Sequence, residues 1–210
     1  MDSPARANSD RPLQDACILL TRPSDQSEDL RERLESLGAT VLVQPGIVIS
    51  DPPDWTPVDA AIGRLDQFDW LVFSSSNGVR YFLDRLAHLG RGIDQLTRVR
   101  LAAIGPGTAA ELCERGLHAD IVPEQYRAES LAAALVPEAS GHRFLLIRAS
   151  RGREVLAEQL AAAGATVEQV VAYTTTDVAH ADPNIAAALS AGQIDWVTIT
   201  SSAIARALVA

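Results

Sequence analysis

A short apolar strand, a tight turn of small or hydroxylated residues and then an amphipathic helix recur five times along the 210-residue chain. The repeats read CILLTRPSDQSEDL from Cys17, WLVFSSSNGVRYFL from Trp70, RLAAIGPGTAAEL from Arg100, FLLIRASRGREVL from Phe144 and WVTITSSAIARAL from Trp196. Such repetition specifies parallel strands with crossover helices. Each turn leaves the first N–H groups of its helix without intrahelical partners, at the sheet's carboxyl edge. That edge is where open α/β sheets take ligands, and helix N-termini favour anions.

Apolar residues at helical spacing follow the turns: Leu30, Leu34 and Leu37; Val79, Phe82, Leu83, Leu86 and Leu89; Val155, Leu156 and Leu160. Three helices end in glycine and pass into a strand, in LESLGATVLVQP, LCERGLHADIVPE and LAAAGATVEQVVAY. Glycine there supplies the left-handed residue that closes a helix. The expected fold is α/β, with two doubly wound parallel-sheet lobes joined by a two-stranded hinge ladder.

The lobe boundaries follow from two stretches that break the rhythm. Residues 43–59 are extended and proline-rich, and residues 170–183 are β-branched and polar; neither is flanked like a core strand. As paired crossings they divide the chain into a tail (1–12), a discontinuous lobe (13–46 plus 177–210), a continuous lobe (51–172) and a hinge (47–50 and 173–176). The discontinuous lobe holds strands at Cys17–Leu20, Thr40–Val43 and Val197–Thr200, and a helix from Ser202 to Ala210. That leaves a sheet edge unpaired, so either a partner or further polypeptide is expected to complete it.

Charge and composition limit the partners. Net charge is −9, and all 18 basic residues are arginine. An acidic chain without a basic run is poorly suited to nucleic acid or an anionic membrane surface. No apolar run is long enough to span a bilayer. Cys17 and Cys113 lack metal or redox spacing and read as buried free thiols of a reducing, cytoplasmic environment. His88, His118, His142 and His180 stand singly, so no metal site is expected.

The turns carry the candidate site residues. Ser74, Ser75 and Ser76 precede Asn77 and Gly78, yet one serine suffices as a helix cap, so the others are available for another role. Gly105 opens a GPG turn ahead of Thr108, without the spacing of a dinucleotide fingerprint. Arg148, Arg151 and Arg153 crowd a helix start around Ser150, against the helix dipole, which points to an anion or to a solvated basic turn. Arg22 follows the first strand, with Asp25 and Glu28 as candidate ion-pair partners. Ser201 and Ser202 repeat the hydroxyl-rich turn, and Tyr173 lies in the second crossing.

Taken in order, LLTRP, FSSSNGV, AIGPGTAAEL with GLHADIVPE, LLIRASRGRE, VVAYTT and ITSSA resemble the uroporphyrinogen-III synthase family, over residues 16–210. The resemblance implies two α/β lobes with a cleft between them and a cofactor-free, monomeric, cytosolic enzyme. It implies cyclisation of hydroxymethylbilane, a linear tetrapyrrole polycarboxylate, to uroporphyrinogen III, with loss of water and inversion of the last pyrrole. It also implies substrate contacts at Ser74, Ser75, Ser76, Thr108, Ser201 and Ser202, and a catalytic Tyr173. Family members typically continue with another strand, a GPxT-like turn and a helix that this sequence does not show. Two other readings remain open on the residues alone: a non-catalytic bilobal small-molecule-binding domain, and a nucleotide-dependent oxidoreductase, which the absent fingerprint disfavours.

Overall fold

The computed structural model describes residues 11–23, 27–178, 182–199 and 205, so most of the expected tail and most of the expected helix from Ser202 lie outside the described residues. By contacts the chain groups into two units, Met1–Ile49 with Thr176–Ala210, and Ser50–Thr175.

In the first unit, β1 (Cys17–Leu20), α1 (Glu28–Ser36) and β2 (Thr40–Val43) form one crossover, and α7 (Pro183–Ser190) leads to β8 (Trp196–Thr198). The sheet order is β2-β1-β8, all parallel. Ile18, Leu20 and Ala39 form its core, with Leu30 and Leu34 of α1 packed against them.

The larger sheet runs β3-β7-β6-β4-β5. Its strands are β3 (Ile47–Ser50), β4 (Trp70–Phe73), β5 (Arg100–Ala103), β6 (Arg143–Ala149) and β7 (Thr166–Asp177). β4 lies parallel to both β5 and β6, and β6 is parallel to β7. The helices are α2 (Thr56–Ile62), α3 (Ser76–His88), α4 (Pro106–Glu114), α5 (Ala128–Leu135) and α6 (Val155–Ala162). All four residues of β4 are buried, as an uninterrupted apolar run requires in a sheet covered on both faces. Trp70 and Val72 join Leu131, Phe144, Leu146, Leu156 and Leu160 in the core beneath α5 and α6. On the opposite face Phe73 meets Phe82 of α3 edge-on, at 5.9 Å between ring centres.

One local device starts strands in both units. Asp69, Asp120 and Asp195 each directly precede an extended segment and reach across to its neighbour. Their carboxylates accept, at 2.7 Å, the N–H groups of Arg143, Leu101 and Cys17 respectively. Their own N–H groups donate back to the carbonyls of the same residues.

Two sequence expectations change. Residues 170–177 do not stand apart from the sheet: they continue β7, which pairs with β6 from Thr166 through Tyr173. The β-branched run that looked unlike a core strand is the far end of a 12-residue one. Cys113 is not buried but exposed, because α4 turns Thr108 and Leu112 inward, and the next residue rotates towards solvent. Cys17 is half-buried.

Candidate functional site

The chain leaves β4 through α3 to reach β5 on one side, and later returns to place β6 on the other side. β4 and β6 therefore flank a reversal of strand order, where open α/β sheets form a crevice at their carboxyl ends. A cavity of about 210 Å³ lies there, with Val72 and Ser74 from the β4 side and Leu146 to Ala149 from β6.

The serine run divides its work. Ser75 has extended backbone angles, and its Oγ accepts the Gly78 N–H at 3.0 Å, which makes it the cap of α3. The same Oγ shares a 2.8 Å hydrogen bond with the Tyr173 hydroxyl. Ser74 Oγ donates to the Ile147 carbonyl at 3.3 Å, and Ser76 is the first residue of α3. Asn77 Oδ1 accepts from Arg80 at 3.0 Å. Tyr173 is only 7% exposed, and its ring lies 5.6 Å from that of Tyr81. Burial pushes its phenol above the ordinary value of 10.0, with the Ser75 hydrogen bond partly opposing the shift. The hydroxyl therefore stays protonated at neutral pH.

Around Arg148 the side chains form a closed ring. Its guanidinium donates to the Glu154 carboxylate and, at 2.7 Å, to Gln169 Oε1; Gln169 Nε2 then donates to Glu154 at 2.7 Å. Arg153 pairs with Glu129. These glutamates offset the positive charge gathered at the start of α6, so the break with helix-dipole rules has an internal answer. Ser150 ties β6 to β7 beyond the bulge at Arg148/Ala149: its N–H donates to the Tyr173 carbonyl at 2.9 Å, and its Oγ accepts the Thr175 N–H at 3.2 Å.

Other expected residues lie elsewhere. Gly105 caps α4, and a side chain there would press on the Tyr126 ring at 3.1 Å. Thr108 is 5% exposed within α4. Arg22 follows β1, and its Nε is buried without a hydrogen-bond partner among the described residues. Glu28 pairs with Arg31, while Asp25, Ser201 and Ser202 lie outside the described residues. The sequence reading missed Gln169, Glu154 and Tyr81. The bulge at Arg148/Ala149 separates the faces of Gln169 and Tyr173: Gln169 meets Arg148, whereas Tyr173 turns to Ser75 and Tyr81 of the α3 side.

A family model described as uroporphyrinogen-III synthase HemD matches residues 28–210. A uroporphyrinogen-III synthase of Synechococcus elongatus is 32% identical over 199 residues, spanning 94% of this chain and 75% of that protein. The porphyrin biosynthesis protein HemD of Ruminiclostridium josui is 25% identical over 201 residues, 95% of this chain and 40% of the relative. In fold, the chain resembles a crystal structure of a mutant uroporphyrinogen III synthase from Thermus thermophilus, with a TM-score of 0.65 and 21% identity over 92% of this chain and 75% of that one. By the family match and the Synechococcus relative together, the chain belongs to the uroporphyrinogen-III synthase family.

Proposed function

We propose that the protein cyclises hydroxymethylbilane to uroporphyrinogen III in tetrapyrrole and haem biosynthesis. The observation that carries this reading is the family match along residues 28–210. The terminal hydroxyl leaves as water, and the ring closes through a spiro intermediate with the last pyrrole inverted. The electron-rich pyrrole itself expels the hydroxyl, so a weak acid suffices. Tyr173 suits that role, because its phenol is protonated and fixed by Ser75. Closure without the enzyme gives the uninverted isomer I, so the larger share of catalysis is orientation. Holding reacting groups in place is worth up to about 7–11 kcal/mol.

The substrate-binding set in this proposal is Arg22, Ser74, Ser75, Ser76, Asn77, Gly105, Thr108, Arg148, Ser150, Ser201 and Ser202. The lobes are residues 13–46 plus 177–210, and 51–172, joined through 47–50 and 173–176; the contact grouping with breaks after Ile49 and Thr175 supports this division. The enzyme is read as a cytoplasmic monomer. Two free thiols fit a reducing compartment, and no helix among the described residues is long and apolar enough to cross a membrane.

The test is incubation with freshly prepared hydroxymethylbilane, followed by oxidation and chromatographic separation of isomers I and III. Isomer III is expected, and isomer I alone would refute the reading. Size-exclusion chromatography with light scattering tests the monomer, which a dimer mass would overturn.

A further inference from the structure

We propose that the cavity at the carboxyl ends of β4 and β6 is a subsite for one carboxylate-bearing pyrrole ring, with Arg148 reading the carboxylate and Glu154 and Gln169 as its positioning residues. The inference rests on the tetrapyrrole reading above and adds where, and by which groups, one ring is held.

Charge is the first argument. The protein carries a net charge of −9, yet the charged side chains lining this cavity are Arg148, Arg151 and Arg153, with no carboxylate among the lining residues described. Glu154 and Glu129 hold Arg148 and Arg153 without lining the cavity themselves. An anion placed inside therefore meets guanidinium groups on the wall, with the paired Glu154 and Glu129 carboxylates off the lining.

Shape is the second. Val72, Ile104, Leu146 and Leu156 supply apolar wall, which suits the faces of a flat ring. At about 210 Å³ the space falls below the roughly 300–1,000 Å³ of pockets that enclose drug-sized ligands. It suits one substituted ring rather than four in a row. Ser74 and Tyr173 complete the lining from the two flanking strands' ends.

Preorganisation is the third. The side chain of Arg148 is 17% exposed and is gripped by Glu154 and Gln169, which also grip each other. A Cβ on Gly152 would come within 3.1 Å of Arg148 Nη2, so glycine leaves room for the guanidinium. A fixed planar fork matches a carboxylate in a way that a mobile ammonium does not.

The experiment is a calorimetric titration of the whole chain with a monopyrrole bearing acetate and propionate groups, against its dimethyl ester. The dicarboxylate is expected to bind at least about tenfold more tightly than the ester, a margin in keeping with charge-assisted hydrogen bonds. Arg148→Met should remove most of that margin and Arg148→Lys only part of it. Gln169→Leu should weaken binding in the wild-type background but not on Arg148→Met, a coupling that a merely structural role would not produce. Equal binding of acid and ester, which needs no variant to measure, overturns the proposal. So does a folded Arg148→Met variant with unchanged affinity. Loss of probe selectivity in a chain that still forms isomer III removes the subsite alone. Arg148-dependent probe binding in a chain that forms only isomer I removes the synthase reading alone.

Discussion

Tyr173 is held by a residue with two duties. Ser75 caps α3 and also fixes the phenol. Tyr173→Phe keeps the ring packing against Tyr81 and removes only the proton donor. Turnover should fall by about 10²–10⁴-fold, the usual contribution of a positioned acid, with thermal stability nearly unchanged. Full activity in this variant would remove the acid role. The phenol also has a signature of its own. Its value is raised in the folded state, so the neutral form is favoured by folding. That contribution is complete below the ordinary value of 10.0 and is lost as pH rises through the folded value. An ultraviolet titration should show a late tyrosine ionisation, and Tyr173→Phe should delete that phase. If the late phase survives in Tyr173→Phe, the buried phenol is wrongly identified.

At the scale of elements, β4 takes its stability from burial on both faces and from the aspartate that precedes it. Leu71 is wholly buried in β4, and Leu71→Ala should cost about 2–5 kcal/mol in chemical denaturation. Asp69→Ala removes the acceptor for the Arg143 N–H and should cost about 1–2 kcal/mol; a change near zero would make the contact incidental. The elements themselves were legible in sequence, because apolar runs and closing glycines are local signals. Gly38, Gly116 and Gly164 do adopt positive φ at the helix ends where the sequence placed them. The length of β7 was not legible, since polar β-branched residues look alike in a core strand and in a linker. Nor was the pairing of Arg148 with Gln169, which lies 21 positions away on a strand joined to β6 only by folding. The exposure of Cys113 was missed because one step along a helix turns a side chain by about 100°, enough to carry it from beside buried Leu112 to solvent.

Across the whole molecule, the two units differ in how much sheet they protect. Among the described residues, β4 and β6 are central in a five-stranded sheet, whereas β8 is at the edge of a three-stranded one, with Trp196 67% exposed. Hydrogen exchange should therefore be slowest in β4 and β6 and faster in β8; the reverse order would contradict this description. In the proposed function, geometry selects the product and a weak acid assists departure of the hydroxyl. The most direct measurement is the isomer ratio and initial rate from hydroxymethylbilane for the wild-type chain and Tyr173→Phe side by side. The account predicts isomer III from the wild type, and a much slower variant whose enzyme-dependent product is still isomer III. Isomer I alone from the wild type, or a variant as fast as the wild type, would contradict it.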